Sequence, residues 1–452
     1  MTTKRIRKFI LALIATYIAA GCSYNHIMEF EPDEPFHGLA HLLNTDVGIS
    51  DTRQLNVVFV HGMGHHPFGE IGIRKYQKRI AKELGFTLED VQSVEWGPLC
   101  PPDEKRAGFL LKLKREGTAG VITETEILQE LEAEKQAVCP LRINKITVGY
   151  VGWRQYRDTD VEGSRVLNLF ELSWDRATEI LQKKMLELDE EYAETVELDK
   201  NLDPLPDGRN READRAHLNR WLKKFVNRQL GDPVVYLGTY GDSIRQTVAD
   251  GLLKIASVEG TNEDNPYTII SDSLGSRVVF DTLKCVLDPS GSVGCTAPRA
   301  SAKRVPEGTT KLQRLSDNTV QIFMNANQLP FLAMSLVTAP GENQSETDWL
   351  KRFPCDTVVL PIKSSKKSQE VQVVAFTDPN DALSYHLTRR FRARCSGLAG
   401  EAKSGIRFIN VRTTNAQWNY LFVLADPNKA HSDGFRENDS AIGLLIHGYK
   451  VQ

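Results

Sequence analysis

The segment from residue 267 to residue 287 constrains the fold more than any other. Residues 267–271 (Tyr-Thr-Ile-Ile-Ser) are a short apolar run, and residues 277–287 carry apolar side chains at helical spacing, separated only by Asp272-Ser273-Leu274-Gly275-Ser276. A buried strand that turns directly into an amphipathic helix is the grammar of a parallel α/β sheet. The same pattern opens the body of the chain. Residues 55–60 (Leu-Asn-Val-Val-Phe-Val) lead through His61-Gly62-Met63-Gly64 into a helical stretch that ends near Gly85. Further buried runs at 320–324, 371–376 and 407–411, and a terminal helix at 440–447, continue the alternation, while 288–318 reads as a Gly/Pro/Ser-rich loop.

Between about residues 100 and 230 the character changes to long charged segments with helical periodicity, interrupted by a strand pair at 146–156 and 165–174. Met185, Leu188 and Tyr192 make one apolar helix face, and Leu218, Trp221, Leu222 and Phe225 make another. This stretch reads as an insertion or cap on an α/β body spanning 51–452. Its apolar stripes suit core packing or a lid over a lipid-binding groove. A chain of 452 residues has room for both body and insertion.

The first residues read as a targeting segment. Lys4, Arg5, Arg7 and Lys8 precede an apolar run at 9–20, which Gly21 and Cys22 follow. Twelve apolar residues fall short of the roughly 20 a membrane-spanning helix needs, so 1–21 is expected to be a secretory signal. Ile18-Ala19-Ala20-Gly21-Cys22 resembles the lipobox of bacterial lipoproteins. The resemblance implies that Cys22 is lipidated, that 22–50 is a tether, and that Ser23 directs the protein to the outer membrane of the cell envelope. Ala19 in place of the more usual Leu leaves ordinary secretion as the alternative. In that oxidising compartment Cys100, Cys139, Cys285, Cys295, Cys355 and Cys395 can pair, and Cys285 with Cys295 would close the shortest loop. A formal net charge of −3 supplies no basic excess, which excludes nucleic acid as an expected partner.

The turn at Ser273 carries the chemistry. A sharp strand-to-helix turn pushes a serine hydroxyl out of the sheet, small residues two before and two after avoid collision, and the helix N-terminus offers N–H groups to a developing anion. Ser271-Asp272-Ser273-Leu274-Gly275 resembles the Gly-x-Ser-x-Gly elbow of the α/β-hydrolase superfamily at every position except the first, where Ser271 replaces Gly. The resemblance extends from residue 55 to about 449 and implies an α/β-hydrolase fold with Ser273 as nucleophile. It also implies that His61-Gly62-Met63-Gly64 bears half of an oxyanion hole, the Met63 N–H acting with that of Leu274. Loss of one such donor typically costs about 3–4 kcal/mol of transition-state stabilisation. His65 and His66 read as loop residues.

A serine nucleophile needs a base, and the base needs an orienting acid. The family order is Ser, acid, His. Thr377-Asp378-Pro379-Asn380-Asp381 follows the run at 371–376 and resembles the acid turn of lipase-like members, which favours Asp381, with Asp378 as its rival. His431 follows the last buried run and precedes the last helix. It is preferred as base over His386, expected within a helix just past Asp381, and over His447 in the terminal helix. These residues imply an acyl-enzyme serine hydrolase acting on acyl esters or phospholipids, with no metal or organic cofactor. Transfer of the acyl group to another acceptor, and a binding lipoprotein that keeps the fold without catalysis, are the alternatives.

Overall fold

The computed structural model describes residues 29–44, 53–62, 71–87, 90–92, 137–158, 164–174, 176–178, 181, 231–258, 265–287, 295–330, 370–378, 381, 383–389, 392, 406–414, 431, 434–436 and 438–450. These form an α/β structure around a mixed, mostly parallel sheet of ten strands. Its strands are β1 (Glu29–Pro32), β3 (Arg53–Val60), β4 (Val91–Gln92), β5 (Ala137–Ile143), β6 (Ile146–Asp158), β7 (Arg165–Ser173), β8 (Tyr267–Asp272), β9 (Thr319–Asn325), β10 (Val371–Thr377) and β11 (Ile406–Thr414). A two-stranded ribbon pairs β2 (Phe36–His37) with β12 (Gly448–Tyr449).

Across the large sheet the order is β1-β11-β10-β9-β8-β3-β7-β6-β4, with β5 also paired to β6. From β11 to β7 every neighbouring pair is parallel; β1 at one edge and β6, β4 and β5 at the other run antiparallel to their neighbours. The central strands read as continuous apolar runs because both of their faces are buried. Leu55, Val57 and Phe59 of β3 enter one core, and Val58 and Val60 enter the other. Helices α4 (Gly241–Ile255), α5 (Leu274–Leu287) and α7 (Gly308–Asp317) close the second of these cores with Val248, Val278 and Leu312. On the opposite face α1 (Leu39–Asn44), α2 (Ile71–Glu83) and α9 (Asp439–His447) contribute Leu43, Ile80 and Ile446. The remaining helical elements are α3 (Gly231–Leu237), α6 (Thr296–Arg304) and the single turn α8 (Gly434–Arg436).

Several expectations change here. Residues 29–44, within the stretch expected to be a tether, form β1, β2 and α1, and β1 completes the sheet by pairing with β11. Short edge elements of this kind have too few residues to show a period. The strand pair assigned to the insertion is present, but β6 and β7 belong to the central sheet, where β7 lies directly beside β3. The apolar stripes at 185–192 and 218–225 lie outside the described residues. The segment at 288–318 holds α6 and α7, whose only strong apolar signals are Ala302 and the pair Leu312 and Leu315. Cys285 and Cys295 form a disulfide with Cα atoms 5.0 Å apart, joining the end of α5 to the start of α6. Closing so short a loop contributes about 2–3 kcal/mol on the chain-entropy account. Cys139 is also disulfide-bonded.

Register places the strand ends in one row. Val60 lies opposite Ser271, Asp272 opposite Asn325, and Asn325 opposite Phe376. From β3 the chain runs through α2 to β4 at the far edge, comes back through β6 to β7 beside β3, and then crosses to β8 on the other side of β3. The carboxyl ends of β3 and β8 therefore flank a switch point, where open α/β sheets bind ligands. Gly275, at the start of α5, sits so close to the end of β3 that a Cβ there would lie 2.3 Å from the His61 carbonyl oxygen. Gly275→Ala must separate helix from strand, and it is expected to lower unfolding stability by about 1–3 kcal/mol in a denaturant titration.

Candidate active site

The turn after β8 forces Ser273 into the left-handed region, with φ 52°. Such a backbone is uncommon for a residue with a Cβ and has to be held by its surroundings. Asn325, at the end of the adjacent β9, holds it twice. Its carbonyl accepts the Ser273 N–H at 2.7 Å, and its side-chain amide donates to Asp272 Oδ1 at 2.8 Å. Gly62 lies against the same turn, where a Cβ would sit 2.6 Å from the Asp272 carbonyl oxygen and 2.9 Å from Ser273 Cβ. His61 and Gly62 are thereby brought against the turn at Ser273, while Met63, His65 and His66 lie outside the described residues.

Ser271 is accommodated rather than strained. Its buried hydroxyl lies 2.8 Å from Ser276 Oγ and donates to the Phe323 carbonyl of β9 at 3.3 Å. A glycine there would leave those groups without this partner. Leu274 is the first residue of α5, so its N–H belongs to the helix end that has no intrahelical acceptor.

Asp381 follows β10 in a turn closed by its own N–H on the Asp378 carbonyl at 3.0 Å. Both carboxylate oxygens are used. Oδ1 accepts the Leu383 N–H at 2.9 Å, and Oδ2 lies 2.7 Å from His431 Nδ1. Asn327 clamps the far side of this loop by exchanging two 2.8 Å hydrogen bonds with the Tyr385 backbone. His431 in turn places Nε2 2.8 Å from Ser273 Oγ.

A carboxylate can only accept, so the short contact to Asp381 puts the neutral imidazole proton on Nδ1 and turns the Nε2 lone pair toward the serine hydroxyl. The Asp381 side chain is 1% exposed, that of His431 12%, and Ser273 as a residue 3%. Screening by water is weak in such surroundings, which strengthens both hydrogen bonds.

Asp381 and His431, preferred from the sequence, are thus the pair brought to Ser273. Asp378 contributes its carbonyl to the acid turn. His386 lies in an irregular, exposed segment rather than a helix, with Nδ1 3.2 Å from Thr377 Oγ1, and His447 is exposed at the end of α9. Cys22 lies outside the described residues.

The structure adds buried partners that the sequence did not assign. His61 is fully buried, with Nε2 3.1 Å from Glu171 Oε1 of β7, and its carbonyl accepts the Trp174 indole N–H at 3.0 Å. Glu171 was legible as a lone acid within the apolar run of β7. Tyr76 of α2 is buried beside Asp272; burial and then that negative charge raise its phenol well above its ordinary range, so it stays neutral. Comparisons with protein-family models, with curated proteins and with solved structures find no match.

Asp381→Asn keeps the shape but can donate to Nδ1 and favour the wrong tautomer. It is expected to slow covalent modification of Ser273 by an organophosphorus probe by about 10³–10⁴-fold, the scale of the equivalent change in serine proteases. Asp378→Asn is expected to stay within about tenfold of the parent, since its backbone carbonyl is retained.

Proposed function

We propose that the chain is a serine hydrolase of the α/β-hydrolase type, cleaving carboxylic esters through an acyl-enzyme. The observation that carries this reading is the unbroken relay from Ser273 Oγ through His431 to Asp381, with contacts of 2.8 and 2.7 Å. The left-handed turn at Ser273, between a parallel strand and a helix N-terminus, supports it independently.

In this mechanism His431 Nε2 takes the Ser273 proton as Oγ attacks the ester carbonyl, and Asp381 stabilises the imidazolium that forms. The Leu274 N–H and the Met63 N–H hold the oxyanion. His431 then returns its proton to the leaving alcohol. Water, deprotonated by the same imidazole, attacks the acyl-enzyme and releases the acid. No metal or organic cofactor enters any step.

The substrate class we favour is an acyl ester or phospholipid, on the strength of the N-terminal segment. A protein held at the envelope by acyl chains on Cys22 would meet its substrates at a membrane surface. Among the described residues no helix is long and apolar enough to cross a membrane.

The test is intact-mass labelling of residues 23–452 with a fluorophosphonate. The parent is expected to gain one adduct, Ser273→Ala none, and His431→Ala an adduct formed at least about 10³-fold more slowly. A folded, disulfide-intact parent that gains no adduct, even in detergent, would overturn catalysis and favour a binding lipoprotein. An adduct without turnover of short-chain esters or phospholipids would redirect the search to transfer onto another acceptor.

A further inference from the structure

His431 is delivered by neither β8 nor β10, the strands that precede Ser273 and Asp381. Something must fix its position, because a displacement of about 1 Å can cost roughly 10²-fold in rate. The chain immediately after it supplies two ties. In α8, Phe435 is 2% exposed and meets Phe376 edge-on, ring centroids 6.0 Å apart. Phe376 is the penultimate residue of β10, the strand that delivers Asp381. The next residue, Arg436, donates through Nε to Asp272 Oδ2 at 3.1 Å and through Nη2 to the same oxygen. Asp272 immediately precedes Ser273.

Adjacent residues of one helical turn thus grip the strand of the acid and the strand of the nucleophile. The ion pair is well sheltered: the Arg436 side chain is 10% exposed and that of Asp272 22%. Asp272 is itself fixed by Asn325, which also holds the Ser273 backbone. Downstream, Asn438 Oδ1 caps α9 by accepting the N–H groups of Ser440 and Ala441 at 2.8 and 3.2 Å. Among the described residues these anchors, Phe435, Arg436 and Asn438, follow His431 within seven positions.

We propose that Arg436 is a positioning residue for the base, acting through Asp272, with Phe435 setting the distance to the acid strand. The pair holds the imidazole against Ser273 Oγ; neither Arg436 nor Asp272 touches the reacting atoms. The role rests on His431 being the base of the reaction proposed above. It also gives Asp272, the residue just before Ser273 in the turn, a specific task.

The experiment measures fluorophosphonate labelling rates for Arg436→Met, Asp272→Asn, the double variant and Arg436→Lys, with thermal unfolding and hydrogen exchange of the 431–436 peptide alongside. Each of the first two is expected to label about 10–100-fold more slowly than the parent. Because both remove one contact, the double variant is expected to be no slower than the slower single one. Arg436→Lys, which keeps a tethered cation, is expected to recover part of the rate, which a loss of global stability alone would not explain. Labelling of Arg436→Met at the parental rate, or single effects that multiply in the double variant, would overturn the proposal.

Should Arg436→Met fail to fold, Asp272→Asn and Arg436→Lys carry the same comparison. An unlabelled parent would count against the hydrolase reading instead, and exchange then decides. Faster uptake at 431–436 in Arg436→Met, with the rest of the chain unchanged, supports the tie; unchanged uptake overturns it.

Discussion

The left-handed backbone at Ser273 is the constraint around which the rest of the site is arranged. A non-glycine residue in that conformation costs on the order of 1–3 kcal/mol, and it persists only where neighbours leave no alternative. Here the neighbours are explicit. Asn325 binds the turn on one side, and Gly62 and Gly275 let the end of β3 approach on the other to distances that a side chain would forbid. The hydroxyl is thereby lifted out of the sheet plane at the first residue beyond β8. Parallel register does the remainder, since Val60, Ser271 and Met324 stand in one row, and Asp272, Asn325 and Phe376 in the next.

Burial then gives the relay its strength. Asp381 has both oxygens engaged and almost no exposure, so its charge is met by a backbone N–H and by His431 rather than by water. The geometry is set by the fold itself, the preorganisation that the proposed mechanism would require of fixed dipoles in a transition state. The neighbouring strands β3 and β7, inside the sheet, also carry buried polar pairs. Asn56 and Asn168 pair across β3 and β7 at 2.8 Å, and His61, just past the end of β3, meets Glu171 nearer the carboxyl end of β7.

What could be read from sequence followed physical lines. The central strands were legible because burial on both faces makes them continuous apolar runs, and Ser273 because a strand meets a helix across so short a turn. Asp381 and His431 were legible through order along the chain. The edge was not: β1 spans four residues and gains its meaning from β11, which lies about 380 residues later. Nor was the membership of β6 and β7 in the main sheet, since pairing partners are a property of topology rather than composition. Arg436 and Asp272, 164 residues apart, carry no local pattern that would link them.

In the proposed mechanism His431 stands as a neutral base between Asp381 and Ser273. Nitrogen-15 NMR on protein labelled at histidine reads it directly, with Asp381→Asn and His431→Ala assigning the signal. Neutral His431 is expected to carry its proton on Nδ1, in a strongly downfield hydrogen bond that Asp381→Asn abolishes. A neutral His431 with its proton on Nε2, or an Nδ1 signal indifferent to Asp381→Asn, would contradict it.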